Sequence, residues 1–441
     1  MIKFFGITIR LLLVLILSGA ALNSQNLNDI YQTLPDVQSC KPGVLKQSEI
    51  DKVIQLTNRI RLLHKLPLLQ YEMSTQTASM EGCLNIVASG ESGHIDNPSS
   101  DCYTPDGGKA RMKSNLYGGR SGSAYSFYSE DVIIGWMWDD KNADVAGRYK
   151  VGHRRAIINP FLKSFSFGRA EGYKKSGGEY WVASNFHYQD YVTGAANVNV
   201  DFVAYPYENY PIDYFKKDFY LSFMAIIDKS NLWNNQAVDF SQVQITMTAE
   251  GGGSINVHDV QGNNEGWGSY PNNVSWMADG LQNEVKYLVE IKNVKFNNQT
   301  KDYSYWFRLT NVNHNVKPAT PALISPENYA ENVKINGSIS WEAVQNAASY
   351  QFQLAENKNM NNPIIDKSNL VASAYTPTEL TYGKTYYWRV KAVNDAGQSE
   401  WSDVWQFTTS APKPNAPALA EPADKATINT ISPKLTWNKI P

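Results

Sequence analysis

The sequence predicts a multidomain chain: an α/β domain, built as an α-β-α sandwich of helices around a small sheet, followed by all-β sandwich domains. Three observations lead there. Before position 140, apolar residues recur at helical spacing in three separate stretches. After Val198 the pattern switches to period-two alternation, as in Val243-Gln244-Ile245-Thr246-Met247-Thr248, punctuated by Gly and Asn turns. From Pro318 a repeat emerges, with Pro321-Ala322-Leu323 returning as Pro417-Ala418-Leu419 and Trp341 as Trp437, both shifted by 96 residues. That period suits a β sandwich of about 100 residues. A chain of 441 residues is also too long for one core, and usual domain sizes give about three.

Ser48 precedes Ile50, Val53, Ile54, Thr57 and Ile60, the pattern of a capped amphipathic helix that ends near His64 and Pro67. Ser74 opens a second helix with Met80, Cys83, Leu84 and Val87 on one side; Gly90 and Gly93 break it just before His94. From Asn97 to Gly122, Ser, Pro, Gly and Asp dominate, which predicts a long surface loop. A third helix follows Ser129, with Val132, Ile133, Trp136 and Met137 at helical spacing. The stretches 165–170 and 180–186 alternate and carry aromatics, as short strands do. These elements place the α/β domain at 45–190. No long helical pattern interrupts 197–312, which reads as a β-sandwich module. Residues 318–410 are expected to form a seven-stranded sandwich with Trp341 buried, and 414–441 the truncated start of its second copy.

The first residues bear on location. Lys3 and Arg10 flank a short apolar core, and Leu11 to Leu17 leads into Ser18-Gly19-Ala20-Ala21, the pattern of a secretory signal peptide over 1–21. The apolar run is short for a span of about 20 residues, so no transmembrane anchor is expected after cleavage. The expected location is secreted, outside the cell or at its surface. Cleavage would leave 38 basic against 42 acidic residues, and the whole chain carries a net charge of −2. Nothing in that balance attracts nucleic acid. Export permits one disulfide among Cys40, Cys83 and Cys102, leaving one thiol. Cys83 with Cys102 would close a loop holding His94, worth about 3 kcal/mol. Cys40 could pair with either instead, and the sequence leaves the choice open.

Several motifs then fall in a fixed order. Gly93-His94 comes first, then Ser114-Asn115-Leu116-Tyr117-Gly118, read as a turn, and Trp136-Met137-Trp138-Asp139 on the third helix. The stretch 151–160 reads VGHRRAIINP, with a Gly-His-Arg turn, and Phe167-Gly168-Arg169 and Tyr180-Trp181-Val182-Ala183 close the series. Over 48–188 this resembles the CAP superfamily of cysteine-rich secretory, antigen-5 and pathogenesis-related proteins, in its bacterial branch. The stretch from Ala204-Tyr205-Pro206 to Tyr210-Pro211 resembles the β module that follows the CAP domain in some bacterial relatives. Trp341, Tyr350, the spacing of Leu380 to Tyr386, Trp388-Arg389-Val390 and the span from Ser402 to Phe407 resemble a fibronectin type III domain, with Tyr386 as its corner tyrosine.

The CAP resemblance implies a cleft faced by His94, Ser114, Asn115, Asp139, His153 and Arg154. In the family, two histidines and two acidic residues there can hold a divalent metal. Carried over, the ligands are His94, His153 and Asp139, with Zn2+ or another divalent cation as cofactor. Ser114 stands where relatives carry a glutamate, and a serine is a poor zinc ligand. The bland alternative is that both histidines only hydrogen-bond and order the cleft. Asp140 lies about 100° around the helix from Asp139, so both cannot face one cleft if the helix continues. Of Arg154 and Arg155, one is expected to tie down its loop through carbonyls rather than bind an anion. Trp136 and Trp138 point to different sides of their helix, which leaves Trp136 for the core.

Enzyme signatures are missing from the sequence. Gly119-Arg120-Ser121-Gly122-Ser123 lacks the last glycine of a nucleophile elbow. Gly251-Gly252-Gly253 does not continue as GxGxxG, and no HExxH occurs. His187 reads as a strand residue. The expectation is a secreted, non-enzymatic protein whose cleft takes a metal, a small ligand, a lipid, or a surface polymer or protein, with β modules as spacers or adhesion units. An exported hydrolase of surface polymers is the rival.

Overall fold

The computed structural model describes residues 26–143, 147, 149–266, 270–311, 317–344, 347–370, 373–394, 396–413 and 416–438, and the expected signal segment lies outside them. Elements of the N-terminal part run α1 (Leu27–Ile30), β1 (Tyr31–Thr33), β2 (Val44–Leu45), α2 (Gln47–Leu63), β3 (Gln70–Tyr71), α3 (Gln76–Ser89), α4 (Pro105–Met112), β4 (Ser114–Ser121), α5 (Ser129–Trp138), α6 (Gly152–Ile157), β5 (Ser164–Tyr173) and β6 (Tyr180–His187). The chain divides into two compact units: Met1–Ile50 with Glu72–Val132 and Ser166–His187, and Asp51–Tyr71 with Ile133–Phe165 and Tyr188–Pro441.

In the first unit, β6 is the central strand, antiparallel to β4 on one side and to β5 on the other. Cys83, Leu84, Ile86 and Val87 of α3 pack with Val37, Ala170, Trp181 and Ala183. The helix comes so close to β5 that a Cβ at Gly168 would lie 2.2 Å from the Ser79 carbonyl oxygen, so only glycine fits there. Gly90 ends α3 in the left-handed conformation, φ 68°, as a C-terminal glycine should.

Two expectations fail in this unit. The stretch 97–122 is not one loop, for it holds α4 and β4. Thr104 caps α4, its hydroxyl accepting from the Gly107 amide at 3.0 Å, with Pro105 in the first helical position. The run taken as a turn at 114–118 is the first half of β4, in register from Ser114 opposite His187 to Ser121 opposite Tyr180. The disulfide joins Cys40 to Cys102, while Cys83 is a buried free thiol on the core face of α3. Burial pushes its titration up, which leaves it inert. A loop of 62 residues closed by this bond is worth about 4 kcal/mol in the chain-entropy account.

In the second unit, β3 lies parallel to the start of β5, Gln70 opposite Ser164. The next strands are β7 (Phe202–Tyr205), β8 (Glu208–Pro211), β9 (Leu221–Ala225), β10 (Gln244–Ala249), β11 (Ser254–Ile255), β12 (Val257–Asn263), β13 (Asn273–Ala278), β14 (Lys286–Phe296) and β15 (Gln299–Thr310). They form two sheets, ordered β11-β10-β14-β15-β8 and β12-β13-β9-β7. Trp276 of one sheet donates its indole N–H to the Met247 sulfur of the other at 3.3 Å. The β14–β15 hairpin turns on Asn297 and Asn298, both at positive φ, as two-residue hairpin turns require.

The third module contains β16 (Leu323–Ser325), β17 (Ala330–Val333), β18 (Ile339–Trp341), β19 (Ser349–Ala355), β20 (Ile365–Leu370), β21 (Ala374–Tyr375), β22 (Thr385–Asn394), β23 (Gly397–Gln398) and β24 (Trp405–Thr409). Its sheets are β16-β18-β21 and β17-β24-β22-β19-β20, with β23 paired to β22. Nine β segments replace the seven expected. The extra two are β17, which pairs parallel with β24, and the short β23. Tyr386 is a corner tyrosine, its hydroxyl accepting from the Thr381 amide at 2.9 Å. The preceding module repeats this unforeseen, Tyr287 accepting from the Gln282 amide at 2.7 Å.

In the partial repeat, β25 (Leu419–Glu421) and β26 (Thr436–Trp437) pair Leu419 with Trp437 just as β16 and β18 pair Leu323 with Trp341. Trp341 is 1% exposed beneath Tyr350 and Phe352, whereas Trp437 is 63% exposed. Trp341→Ala should lower stability by about 3–5 kcal/mol through the cavity left in this small core, as read by urea unfolding of the full chain. Trp437→Ala should change it by less than about 0.5 kcal/mol.

Candidate functional site

The motif residues divide between the two units. His94, Ser114 and Asn115 belong to the first; Asp139, His153 and Arg154 belong to the second.

In the second unit the structure brings Asp139, His153 and Arg154 together. Helix α5 ends at Trp138, and Asp139 follows in the left-handed conformation, φ 58°, with its amide still bonded to the Gly135 carbonyl at 2.8 Å. The helix therefore stops just where the angular argument about Asp139 and Asp140 assumed it went on. Asp140 instead pairs with Lys216. The Gly-His-Arg turn is the short helix α6, entered through Val151 at φ 44°. Asp139 caps it from outside. One carboxylate oxygen accepts from the His153 amide at 2.9 Å and the Arg154 amide at 3.4 Å, and the other lies 2.8 Å from His153 Nδ1.

A carboxylate held this way satisfies two orphan amides at the start of a helix and fixes an imidazole ring. Because an ionised carboxylate only accepts, Nδ1 must carry the proton, and in the neutral ring Nε2 is then the acceptor nitrogen. The Asp139 side chain is fully buried, whereas the His153 side chain is 23% exposed. The buried Trp136 ring lies 6.3 Å from the imidazole, so that tryptophan is core, as expected.

Arg154 is fully buried. Its guanidinium donates to the Met137 carbonyl at 2.6 Å, the Trp138 carbonyl at 2.9 Å, and the Tyr220 carbonyl and Ser222 hydroxyl, both at 3.0 Å. It also lies 3.8 Å from the centre of the Tyr205 ring. Arg155 is buried as well, donating to Asn263 Oδ1 at 2.9 Å and to the Tyr270 carbonyl. Burial brings the Arg155 titration down to about 9 and lowers that of Arg154. Both arginines thus run from α6 into the β-sandwich module that follows, where one was expected to bond carbonyls within its own loop.

In the first unit, His94 Nδ1 lies 3.0 Å from the Arg111 carbonyl. Arg111 itself is buried and donates to the Gly93 carbonyl at 2.7 Å, the Glu91 carbonyl at 2.6 Å and Asn85 Oδ1 at 2.6 Å. It shapes the turn that presents His94. The sequence reading missed it because α4 was hidden in a presumed loop, although Thr104-Pro105 was a legible helix start. Ser114 is buried, and its hydroxyl donates to the Ala110 carbonyl at 2.5 Å. Asn115 is buried opposite Phe186, and His187 ends β6 as the strand residue expected.

Among the described residues, no group of three or more His, Cys, Asp or Glu side chains is placed to hold a metal ion. Two open cavities of the second unit lie among the described residues. One of 430 Å3 is lined by Asp201, Ile226, Asp228, Lys229, Phe296 and Lys301, among others. One of 260 Å3 is lined by His64, Asn199, Val200, Asp201, Phe202, Ala204 and Tyr207. Neither is lined by a motif residue.

Residues 54–186 match the model of the cysteine-rich secretory protein family, CAP. Residues 336–412 match that of a Rha78A-like, N-terminal immunoglobulin domain. Among solved structures, the chain is similar to an Fn3-like protein from Clostridium thermocellum, at 20% identity over 22% of this chain and 99% of that one, with a TM-score of 0.18. It is also similar to a fourth FNIII domain from human, at 22% identity over 23% of this chain and 83% of that one, with a TM-score of 0.17. No curated protein matches the chain at a significant level.

Arg154→Met should destabilise the full chain by about 3–5 kcal/mol, because the carbonyls of Met137, Trp138 and Tyr220 would lose their donors in a buried place. Arg154→Lys should rescue little, since an ammonium cannot span donors set in a planar fork. Chemical unfolding of the three proteins tests this.

Proposed function

We propose that this chain, whose residues 54–186 are a CAP domain followed by β-sandwich modules, is a secreted, non-enzymatic binding protein. The observation that carries the reading is how the motif side chains are engaged. Arg154 and Arg155 donate to main-chain and amide oxygens inside the protein, and the Ser114 hydroxyl donates to Ala110. None of the three is presented as an anion clamp or a nucleophile. The ligand classes that fit are a small molecule, a lipid, or a surface polymer or protein, with the β modules as spacer or adhesion units. Secretion rests on the basic and apolar start of the sequence. No helix among the described residues is long and apolar enough to cross a membrane.

The family's divalent metal fits this chain only in part. His153 presents a carboxylate-oriented ring, the arrangement in which a histidine serves as a ligand. Asp139 would then orient the ring rather than coordinate, because both its oxygens already accept N–H bonds. Ser114 supplies no carboxylate. Of the expected ligands, His94 in the first unit and His153 in the second each keep an imidazole of the kind a divalent cation takes, and a cation would act there as a Lewis acid or a structural tie. The second reading, an exported hydrolase, draws on the Asp139–His153 pair, since a histidine oriented by a buried aspartate is also what a general base requires.

Calorimetric titration of the full chain with Zn2+ separates the readings. The native protein should bind weakly, and Ser114→Glu at least about tenfold more tightly, since it restores a carboxylate ligand. Thermal melts should first show that the variant folds. Tight binding by the native chain that His153→Ala abolishes, together with zinc-dependent cleavage of a surface polymer, would reject the binder reading and support metal-assisted hydrolysis.

A further inference from the structure

The end of α2 carries a histidine that the site does not use. His64 is 2% exposed and is inserted among residues of the β-sandwich module. Its Nδ1 lies 2.7 Å from the Ala204 carbonyl of β7, and the Tyr210 hydroxyl of β8 lies 3.4 Å from Nε2. The ring stacks on Tyr205, with centres 6.3 Å apart, and tilts against Tyr210 at 5.5 Å. The carbonyl takes the Nδ1 proton, so the neutral ring fits with Nε2 accepting from Tyr210.

The charges around this ring oppose a second proton. Arg61 stands on its own helix, and Arg154 lies over the other partner of the stack, Tyr205; both disfavour a charged imidazole. The other titratable groups facing it are the phenols Tyr205 and Tyr210. Three carboxylates lie in the surroundings: Asp201 lines the same cavity and pairs with Lys229 at 3.0 Å, Glu208 pairs with Lys65 at 2.7 Å, and Asp139 acts on Arg154 and Tyr205. Yet the ring is within reach of water, because His64 lines the open 260 Å3 cavity.

We propose that His64 is an acid-sensitive latch between α2 and strands β7 and β8: protonation from the cavity side makes its buried seat untenable and loosens the junction. Burial and the two arginines bring the His64 titration down to about 3, against an ordinary value near 6.5. The closed state therefore holds the neutral ring, and the open state takes up a proton first. The sign follows. Closure is fully favoured above pH of about 6.5, and its advantage falls by about tenfold per pH unit as pH drops from there toward 3.

Hydrogen exchange of the full chain, corrected for intrinsic rates, would read the latch directly in the amides of 202–211. Native protein should lose protection there by about tenfold per pH unit between pH 6.5 and 4.5. His64→Asn, which keeps an amide donor for the Ala204 carbonyl, and His64→Phe, which keeps the stack, should both show a flat profile. Equal pH slopes in native and variants, or no acid loss in the native chain, would overturn the proposal. Should neither variant fold, NMR titration of the native His64 ring still decides. A ring that stays neutral until the junction opens supports the latch, and one that titrates near 6.5 with the strands still protected overturns it.

Discussion

The second unit depends on keeping three buried guanidinium groups satisfied. Sequestering a cation from water costs several kcal/mol unless every donor finds a partner. Arg61 and Arg154 find theirs chiefly in main-chain carbonyls, and Arg155 does so through its two terminal nitrogens while its Nε makes no hydrogen bond. Arg61 holds Pro67, Ile157 and Asn159 at 2.8, 2.8 and 2.9 Å. Arg154 joins the last carbonyls of α5 to the entrance of β9, and Arg155 reaches the chain before β13. A carboxylate partner would fix one side chain, whereas carbonyl partners fix backbone. Each arginine therefore welds separate segments, and the Gly-His-Arg-Arg motif reads as an anchor of the sandwich module as much as a site. The first unit buries two arginines as well, Arg111 bonded chiefly to carbonyls and Arg169 to side chains. Arg111 holds the turn before His94. Arg169 lies beneath the Phe127 ring at 3.9 Å and bonds Glu171 at 2.9 Å and Ser129 at 3.0 Å.

How legible this was depends on the range of the interaction. The helices α2, α3 and α5 announce themselves through apolar spacing, which is a local property. The strands β5, β6, β10 and β14 do so through alternation. Helix α4 and strand β4 were lost because their interiors are rich in Gly and Ser, the composition of a loop. Gly107 is required there because Glu81 of α3 lies 2.9 Å from where its Cβ would be, a contact no local pattern encodes. The disulfide was unreadable for a related reason. Cys83 falls on the apolar stripe of α3, and that placement, once trusted, would have argued for a core thiol and left Cys40 and Cys102 to each other.

The site was legible as a set of positions and less so as a set of roles. The motif order named Asp139 and His153 as members of one site and the structure puts them in contact, but the role of Asp139 turns on α5 stopping at Trp138, which angular reasoning on a continuing helix could not foresee. Arg154 was partly anticipated. The carbonyl partners were expected, but two of its four hydrogen bonds, both from one terminal nitrogen, reach Tyr220 and Ser222, in a module that sequence reading treated as separate. The corner tyrosines show the opposite case. The spacing from Leu380 to Tyr386 recurs as Leu281 to Tyr287, and both hydroxyls cap the amide five residues back.

What the Asp139 and His153 pair can do follows from its saturation. An ionised carboxylate offers about four lone-pair sites, and three N–H groups already occupy Asp139. Little capacity remains for a cation or a substrate proton, so its influence passes through the ring it holds. That arrangement serves coordination and proton transfer equally, and the pair alone decides neither. In the first unit, the hydroxyl of Ser114 at the start of β4 is turned back onto the Ala110 carbonyl of α4. Held by Asp139 and packed beside Trp136, His153 is a polar, partly sheltered contact in a rigid frame, and with Nδ1 engaged its chemistry passes through Nε2.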